Sequence, residues 1–462
     1  MKKIIIIVFL ILCLVSCEKK GCNNDIFEFG HSGVLTFYVD ENPLDKLKDI
    51  KVKITSKGKE NVLSLDNQSF KVNKFKFDEI GDYVAEVIYN NKSYLLKYKV
   101  EIRKWNQKVD TSWYQENENN YTIKNANQLA GLASLVNEGN DFSGKTVTLA
   151  CDIDLANLPW IPIGTNGTGK QVEYNKYFSG TFDGNNKTIY NLYTKTLHNA
   201  VGEHLDESTS YYHFGLFGYV KNAIIKNVKI NNVNILNGMT NGYVRSMQGT
   251  GALVGYASGD VILENNKVLG NISIKGEYKV GGLIGSCSGS SIVIKDVSVR
   301  GGSNSFIGGS DSEFKDTNNF GGILGFSASG NTKFENIISD IDVDGYTCGG
   351  IIGNATEGSM TISNACIYGD ISNKEGSVVG GICGGRFINM TLSHCYIFGS
   401  VSSKDKTYAD ICVSKYGDTG VVISCNEVYF NSDNFKEDVN NTLSISGLSL
   451  EDLKNKLPDI LK

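Results

Sequence analysis

The stretch Gly281-Gly-Leu-Ile-Gly285 is one copy of a phrase that recurs along the chain. Each copy carries two apolar residues followed by a closing residue that is usually glycine. A regular internal repeat of this size indicates a repeat architecture and therefore decides the fold. The other copies, the last of them degenerate, are Phe214-Gly-Leu-Phe-Gly218, Gly251-Ala-Leu-Val-Gly255, Gly321-Gly-Ile-Leu-Gly325, Gly349-Gly-Ile-Ile-Gly353, Gly380-Gly-Ile-Cys-Gly384 and Ala409-Asp-Ile-Cys-Val413.

A second signature, in most copies a polar residue, follows each phrase, 13 to 16 residues after the phrase begins. We interpret these residues as a column at one turn of successive coils, because asparagine tolerates left-handed backbone and hydrogen-bonds its neighbours there. From each of them to the next phrase the length varies from 13 to 25 residues, so insertions are confined to one corner. The predicted column begins with Asn191 and continues with Asn227, Asn265, Asp296, Asn336, Asn364, His394 and Cys425.

The repeating unit reads as short β-rich runs bounded by glycine and asparagine, such as Ser291-Ile-Val-Ile294. It is too short for a βαβ crossover and lacks a helical apolar period. These features predict an all-β fold, a right-handed parallel β-solenoid over residues 121–430. Equivalent residues of successive coils then lie about 4.8 Å apart, and apolar columns fill the tube.

The repeat also carries a resemblance to a known family. The phrase, together with Trp160-Ile-Pro-Ile-Gly164 and the segment 178–192 (Phe-Ser-Gly-Thr-Phe-Asp-Gly-Asn-Asn-Lys-Thr-Ile-Tyr-Asn-Leu), resembles the GLUG-motif repeat of bacterial surface proteins, some of them IgA-cleaving metallopeptidases. The resemblance covers roughly residues 121–430 and implies a surface scaffold, since proteolysis in that family belongs to a separate zinc domain. No His-Glu-x-x-His motif occurs in this sequence.

The N-terminus predicts an export signal. Residues 1–16 begin with two lysines and continue as an apolar run, and Leu14-Val-Ser-Cys17 resembles the lipobox of bacterial lipoproteins. The resemblance implies that Cys17 is lipidated after cleavage, that residues 17–25 are a tether, and that the protein is anchored to the cell envelope, at the outer membrane and surface-exposed. An ordinary signal peptide or a membrane helix is the alternative, although a spanning helix needs about 20 apolar residues.

Residues 26–104 alternate between apolar and polar side chains, which predicts half-buried antiparallel strands. The segment from Phe77 to Tyr83 resembles a corner of immunoglobulin-like sandwiches, where the tyrosine hydroxyl ties the corner to nearby backbone. Ala85 stands where such domains carry a disulfide-bonded cysteine, so no bridge is expected. Asn90-Asn91 predicts a tight hairpin turn. A generic seven-stranded β domain is the alternative interpretation.

Two helices are predicted to close the tube. Residues 105–120 are polar and predict a linker, after which Asn125 opens an amphipathic helix that ends at Gly139 and covers the first coil. Ser449 opens a second helix, which we expect to close the last coil within a C-terminal cap segment, residues 431–462. Because both ends would be covered, we expect a monomer.

Composition excludes one class of partner. The chain carries 45 Lys and Arg against 50 Asp and Glu, a net charge of −5, so nucleic acid is not an expected partner. Of eleven cysteines, nine remain after the signal and Cys17, an odd number that argues against a complete disulfide framework. Most are predicted to be small core residues. A stacked disulfide between Cys383 and Cys412 stays open as an alternative.

Three long insertions, residues 193–213, 236–250 and 300–319, occupy the same corner of their coils. Repeat proteins place binding loops in this way, and aromatic or charged residues there suit a glycan or a host protein. The predicted ligand-binding residues are His198, His204, Tyr211, Tyr212, His213, Tyr243, Arg245, Phe306 and Phe314.

Catalysis is the competing hypothesis. The histidines between 198 and 213 suggest a metal or acid–base cluster, and the acidic run 311–316 suggests calcium, but neither has the spacing of a dedicated site. Solenoid polysaccharide lyases and glycoside hydrolases use clustered Asp, Lys or Arg, and this chain has four arginines and no such cluster. We therefore predict no catalytic residue, metal or cofactor. A glycan-active enzyme with a groove on the solenoid and a structural spacer remain the alternatives.

Overall fold

The structure is a computed structural model that falls into two compact units, Met1–Glu101 and Ile102–Lys462. The division lies close to the predicted boundary at residue 104. The residues that the structure describes are 26–30, 35–56, 58–77, 79–166, 175–195, 213–236, 249–276, 278–309, 318–373, 378–386, 388–403, 409–414, 421–434 and 439–461.

The first unit is built mainly from strands. Its elements are β1 (Ile26–Phe29), β2 (Leu35–Tyr38), α1 (Pro43–Leu47), β3 (Lys51–Ser56), β4 (Lys59–Ser64), β5 (Lys71–Asn73), β6 (Gly81–Tyr89) and β7 (Lys92–Glu101).

These strands form two sheets over one core. One sheet has the order β1-β3-β4 and the other β2-β7-β6-β5. Phe37, Val52 and Leu96, which come from both sheets, are fully buried in a common apolar cluster, so the unit is a small β-sandwich. One pair departs from the antiparallel prediction, because β2 runs parallel to β7.

A tyrosine ties the sandwich together, but it is not the predicted Tyr83. The Tyr98 hydroxyl donates to the Lys76 carbonyl at 2.7 Å and accepts from the Lys76 N–H at 2.8 Å. The Tyr83 oxygen lies 3.5 Å from the Ile80 carbonyl, too long for a strong bond. Tyr98 is 1% exposed on β7, whereas Tyr83, opposite it on β6, is only half-buried, so burial decides which hydroxyl is held.

The predicted hairpin turn is confirmed. Asn90 and Asn91 have φ of 47° and 56°, and Tyr89 pairs with Lys92 on either side of them. Two consecutive left-handed residues match the twist of the flanking strands, which is why asparagine suits both positions.

The second unit consists mostly of parallel strands, with a helix near each end. Its elements are β8 (Asn120–Ile123), α2 (Ala126–Glu138), β9 (Thr146–Leu149), β10 (Ile153–Asp154), β11 (Thr165–Asn166), β12 (Asn175–Lys176), β13 (Thr181–Asp183), β14 (Thr188–Lys195), β15 (His213–Phe214), β16 (Phe217–Lys221), β17 (Ile224–Lys226), β18 (Lys229–Leu236), β19 (Gly249–Gly251), β20 (Val254–Glu264), β21 (Lys267–Gly276), β22 (Lys279–Gly281), β23 (Ile284–Gly301), β24 (Phe306–Gly309), β25 (Asn319–Gly321), β26 (Leu324–Asp340), β27 (Asp342–Asp344), β28 (Thr347–Gly349), β29 (Ile352–Ile367), β30 (Ile371–Ser372), β31 (Val378–Gly380), β32 (Cys383–Arg386), β33 (Asn389–Ile397), β34 (Val401–Ser402), β35 (Ala409–Asp410), β36 (Ile423–Asn431), β37 (Ser446–Leu448) and α3 (Leu450–Lys456).

The repeat phrase produces a parallel β-solenoid, as predicted. The strands that lead into successive phrases form one parallel sheet, in the order β15-β19-β22-β25-β28-β31-β35. A larger sheet contains most of the remaining strands, and each of its long strands pairs in parallel with the equivalent strand one coil away. One continuous apolar core fills the tube. Each phrase therefore marks one coil.

The first glycine of the phrase is required by close approach rather than by left-handed backbone. A Cβ on Gly321 would lie 2.0 Å from the Leu324 carbonyl oxygen, and one on Gly349 would lie 2.1 Å from that of Ile352. Neither glycine has positive φ. The chain folds back on itself three residues later, so a side chain has no space at this position.

The predicted column exists from Asn227 to His394, and its members share positive φ. The Asn227 amide donates to Asp183 Oδ1 at 2.9 Å, and the Asn265 amide donates to Asn227 Oδ1 at 2.8 Å. Asn336 donates to Asp296 at 2.6 Å and accepts from Asn364 at 3.0 Å. Each residue thus fixes its own turn and the distance to the next coil.

Two predicted members do not belong to this column. Cys425 pairs with Leu392 and packs partly on the core, while Glu427, with φ of 53°, takes the position beside His394. The last coil carries additional residues before its turn, so the spacing of the earlier coils predicted the wrong residue there. Asn191 lies in a second column, where Asn232 donates to its Oδ1 at 3.3 Å.

Substitutions at Asn336 should separate two effects that favour asparagine in the column, namely the side-chain hydrogen bonds and the left-handed backbone. We expect Asn336→Ala to lower the free energy of unfolding by about 3 kcal/mol, because it loses two hydrogen bonds and keeps an unfavourable φ. Asn336→Gly should cost about 1–2 kcal/mol, because glycine removes the backbone strain. Urea titration followed by circular dichroism measures both. Equal costs would show that backbone conformation does not select asparagine here.

Helix α2 covers the first coil, as predicted. The Asn125 side chain accepts from the Gln128 N–H at 3.0 Å, and Gly139 ends the helix in left-handed conformation. The predicted linker is wrong, however. Trp105 is 7% exposed in the solenoid core, and the Asp110 N–H donates to the Asn127 carbonyl at 2.9 Å, so this segment packs on the helix and the first coil.

Helix α3 begins at Ser449 as predicted, but it lies on the outer flank of the tube. Leu453 and Leu457 pack with Tyr396 and Phe398 in a cluster separate from the solenoid core. The flank is apolar there because the outward positions of successive coils carry aromatic residues. The last coil is covered instead by the segment that contains residues 439 and 445, which join the main core.

The described cysteines are free thiols, and all but Cys425 are buried. Burial raises the pKa of Cys366 and of Cys395 to about 12, as expected for small core residues. Cys383 and Cys412 are thiols and do not form the disulfide that the sequence left open. Among the described residues, every helix falls short of the length and hydropathy needed to cross a membrane.

Candidate functional site

The long insertions begin and end at one corner of the solenoid. Lys195 pairs with Leu236 on the strands that lead into the first two insertions, and His213 pairs with Gly249 on the strands that follow them. The third insertion returns at Asn319, two coils above Gly249 in the same sheet. Since the strands pair in register, all three insertions arise from a single edge of the tube.

Most of the predicted ligand-binding residues are carried by the insertions themselves and lie outside the described residues. Cys17, the predicted lipidation site, also lies outside them. The insertion residues concerned are His198, His204, Tyr211, Tyr212, Tyr243, Arg245 and Phe314.

His213 is placed in the wall of the solenoid and not on its surface. It is 2% exposed, its ring stacks on Tyr256 at 4.9 Å, and its Nδ1 accepts from the Gly249 N–H at 3.1 Å. Burial lowers the pKa of His213 to about 3, and the nearby Lys279 charge adds to the effect. The prediction that His213 contacts a ligand is therefore wrong, because the neutral ring is already packed and hydrogen-bonded.

Phe306 lies on the outer face of the strands that end at this corner. Its partner one coil away is Ser273, which pairs with Asn234, which in turn pairs with Tyr193. The four residues lie in one outward column across four coils, and the column continues at Asp342, which pairs with Phe306, and at Pro159, which pairs with Tyr193. Lys275 places its Nζ 5.1 Å from the centre of the Phe306 ring.

A shallow groove runs beside this column. Its volume is about 330 Å³, within the range of roughly 300–1,000 Å³ found for small-ligand sites. We call it the asparagine groove, because its lining consists of Asn157, Asn191, Asn232, Val233, Asn234, Asn271, Ile272, Ser273 and Asn304.

Part of the asparagine groove belongs to the second asparagine column. Asn191 donates to Asp154 Oδ1 at 2.8 Å, and Asn232 donates to Asn191 at 3.3 Å. The Asn232 side-chain oxygen accepts the Asn271 backbone N–H at 3.0 Å. These contacts hold the turns in place and use the amides of the column.

Four other amides in the groove are exposed: those of Asn157, Asn234, Asn271 and Asn304. Within the described part of the chain their side chains make no hydrogen bond, so their donors and acceptors face solvent. The floor below them contains Val233 and Ile272, which are 2% and 1% exposed. The groove thus combines an apolar floor with amide groups that point outward.

The lining offers hydrogen bonding but no acid–base chemistry. It contains no carboxylate, histidine or lysine among its described residues. The described residues also include no group of three His, Cys, Asp or Glu side chains placed to hold a metal ion. The arrangement can bind and orient a polar ligand, and none of its side chains is suited to proton transfer near neutral pH.

Sequence reasoning did not find the asparagine groove. Asn234 and Ser273 lie in different repeats, and only the register of the strands shows that they are neighbours. One signal was present in the sequence: Asn231-Asn232, Asn271 and Asn304 lie in equivalent parts of three successive repeats, between the asparagine-column residue and the next phrase.

A second concavity lies beside α2 and is largely structural. It has a volume of about 360 Å³ and is lined in part by Trp105 and Trp160, whose rings meet edge to face at 5.5 Å. Their indole N–H groups donate to the carbonyls of Lys108 and Leu216, both at 3.0 Å. The two side chains are 7% and 3% exposed, so they join the helix to the first coil.

Comparison with solved structures shows related folds. A chain described as IgA1 protease matches 89% of this chain with a TM-score of 0.50 and 18% sequence identity. A Bacteroides ovatus protein, provisionally named an immunoglobulin A1 protease, matches 74% of this chain with a TM-score of 0.41 and 17% identity, over 88% of its own length.

No protein-family model matches the sequence, and no curated protein is similar to it in sequence. This chain spans only 29% of the length of the first IgA1 protease chain. At 18% identity, the likeness to that chain shows the solenoid fold alone.

Proposed function

We propose that this chain is a lipoprotein of the bacterial cell envelope, related to the GLUG-repeat surface proteins, that uses its solenoid to bind an extracellular glycan or protein without catalysis. Lipidation at Cys17 anchors it to the membrane, with the solenoid exposed at the cell surface. Nucleic acid is not a partner, and the protein acts as a monomer.

A single observation carries this proposal: the long insertions share one edge of a rigid tube. Lys195 and Leu236 pair in register before two of them, and the strand at Asn319 stacks above the strand at Gly249 after them. Loops that arise side by side from a rigid scaffold form one continuous surface, which is how repeat proteins build binding faces. The asparagine groove lies at the foot of this surface.

The groove favours binding over catalysis. A glycosidase needs two carboxyl groups about 5–9.5 Å apart, and a lyase needs a positioned base. Neither is found in the described lining of the asparagine groove. Proteolysis is stated for the named IgA1 protease, whose chain is far longer than this one, and is not proposed here.

Shortening the insertions tests the proposal. The same corner is filled at residues 276–278 by Gly-Glu-Tyr, so this tripeptide is the natural replacement for residues 237–248. A second variant replaces residues 310–317 with one glutamate. Both should bind at least tenfold more weakly to the ligands found when residues 26–462 are screened on glycan and matrix-protein arrays. Their unfolding free energies should change by less than about 1 kcal/mol, because loop length contributes little.

The matched control removes residues 415–420, which follow a phrase and therefore belong to another corner. This variant should bind like the unmodified protein. If both shortened variants also bind normally, or if nothing on the arrays binds, the solenoid is a structural spacer. If bound glycans are cleaved, the glycan-active enzyme is the correct alternative.

A further inference from the structure

The asparagine groove has the chemistry of a sugar site. We propose that it binds a neutral oligosaccharide, laid across the coils between Tyr193 and Phe306. This inference rests on the proposed function, because it names the ligand class and its seat below the insertions.

The amides supply the first argument. Asn234 lies in the middle of strand β18, where asparagine is disfavoured. Asn234 and Asn271 lack positive φ, so left-handed backbone does not explain them as it explains Asn232. Asn304 lies in a turn in which the Ser305 N–H donates to the Gly302 carbonyl at 2.9 Å, and its amide faces solvent. Each exposed amide offers two donor hydrogens and an acceptor oxygen, which together match the adjacent hydroxyl groups of a pyranose ring. Their placement in one groove is therefore better explained by a ligand than by the fold.

The aromatic residues supply the second argument. Tyr193 and Phe306 are partly exposed on the outer face, in the column that contains Asn234 and Ser273 and on either side of these two residues. Their rings present apolar surface to solvent, and the C–H face of a sugar ring packs on such surface. A site with an apolar floor, outward-pointing amides and an aromatic ring on either side can hold both faces of a saccharide.

The distance between the two aromatic rings fits a short oligosaccharide. Tyr193 and Phe306 are three coils apart, which corresponds to about 14 Å at the spacing of adjacent strands. One coil is close to the length of one pyranose residue, so an extended oligosaccharide lying along the solenoid axis meets a similar set of groups at each coil. The groove, with a volume of about 330 Å³, encloses only part of such an oligosaccharide.

Charge selects a neutral ligand. The described lining of the asparagine groove has no charged side chain, so it offers no ion pair to a phosphate, sulfate or carboxylate group. Two charged side chains lie at the Phe306 end but outside the lining: Lys275, whose Nζ lies over the Phe306 ring, and the exposed Asp342, which pairs with Phe306 one coil away. Hydrogen bonds between neutral groups are then the main source of specificity, with a favourable contribution from apolar contact.

The test measures binding of linear neutral hexasaccharides of glucose, mannose, galactose and N-acetylglucosamine to residues 26–462 by isothermal titration calorimetry. The double variant N234A/N271A should weaken binding at least tenfold, and Tyr193→Ala or Phe306→Ala should weaken it roughly three- to tenfold. Asn426→Ala is the matched control, since Asn426 is also an exposed strand asparagine but lies on the last coil. Thermal melting of each variant shows that it is folded.

The outcomes separate this inference from the proposed function. Binding of a hexasaccharide that weakens in the groove variants and persists in Asn426→Ala supports the inference. Failure of all four hexasaccharides to bind overturns it, as does binding that the groove variants leave unchanged. If the insertion-shortened variants lose an array ligand while the groove variants keep it, the proposed function stands and the ligand contacts the insertions alone.

Discussion

Gly349→Ala should lower the free energy of unfolding by roughly 3–5 kcal/mol. This is the largest loss of stability that we expect from a substitution that leaves every native contact in place. The added Cβ would lie 2.1 Å from the Ile352 carbonyl oxygen and 2.8 Å from that of Ile382. Both neighbours are backbone atoms of the phrase and of the next coil, so relief requires moving two coils. Urea titration followed by circular dichroism measures the loss.

Gly309→Ala is the matched control, because it also adds one methyl group to a strand of the solenoid. Its Cβ would lie 3.6 Å from Phe320 Cζ, which is ordinary contact, and its φ is not left-handed. We expect its unfolding free energy to stay within about 0.5 kcal/mol of the unmodified value. Similar costs at both positions would show that close approach of the backbone does not explain the phrase glycines.

The second large effect is a loss of stability in acid that depends on His213. The folded-state pKa is about 3 and the ordinary value is 6.5, so the unfolded chain takes up the proton first. The contribution of neutral His213 to the free energy of unfolding is complete above pH 6.5. It falls by about 1.4 kcal/mol per pH unit as the pH drops, and it is lost near pH 3. Between pH 7 and pH 4, His213 should therefore account for about 3 kcal/mol.

His213→Asn isolates this contribution. The asparagine oxygen can still accept the Gly249 N–H that His213 Nδ1 accepts at 3.1 Å, but it does not titrate. Unfolding free energies at pH 7 and pH 4 should differ by about 3 kcal/mol less in the variant than in the unmodified protein. An identical pH dependence in the two proteins would mean that the buried ring is not the titrating group.

The parallel solenoid was predictable because each phrase constrains the same turn in every coil. The column from Asn227 to His394 followed from the same regularity, since left-handed backbone at a fixed position selects asparagine. The prediction failed where the coil length changed. At least three additional residues between the phrase and the turn of the last coil place the turn at Glu427 and not at Cys425, and a fixed spacing has no means of showing this.

Other features depend on contacts between distant segments. Helix α3 was predicted from Ser449, but its place on the flank depends on the outward column containing Tyr396, which becomes visible only with the strand register. The polar segment from residue 105 resembled a linker because Trp105 is an isolated apolar residue in the sequence. Its burial against the first coil is a tertiary contact that local composition does not encode.

The sequence predicted the corner of the solenoid at which the candidate site lies, but only some of the residues that form it. The common corner of the insertions follows from the spacing of the repeats, and Phe306 lies on that side as expected. The asparagine groove joins residues of five coils, including Asn234 and Ser273, whose adjacency becomes visible only when the register is known. His213 was misplaced because its sequence neighbourhood is polar while its ring points into the wall.

Hydroxyl-radical footprinting tests the central claim most directly, because it reports which side chains a bound ligand covers. The tightest ligand from the arrays is added to residues 26–462, and oxidation of individual aromatic residues is followed by mass spectrometry. Oxidation of Tyr193 and Phe306 should fall several-fold, while that of Tyr190, in the same strand as Tyr193 but not in the groove column, should stay unchanged. Unchanged oxidation of Tyr193 and Phe306 in the complex would contradict the assignment of this face as the binding surface.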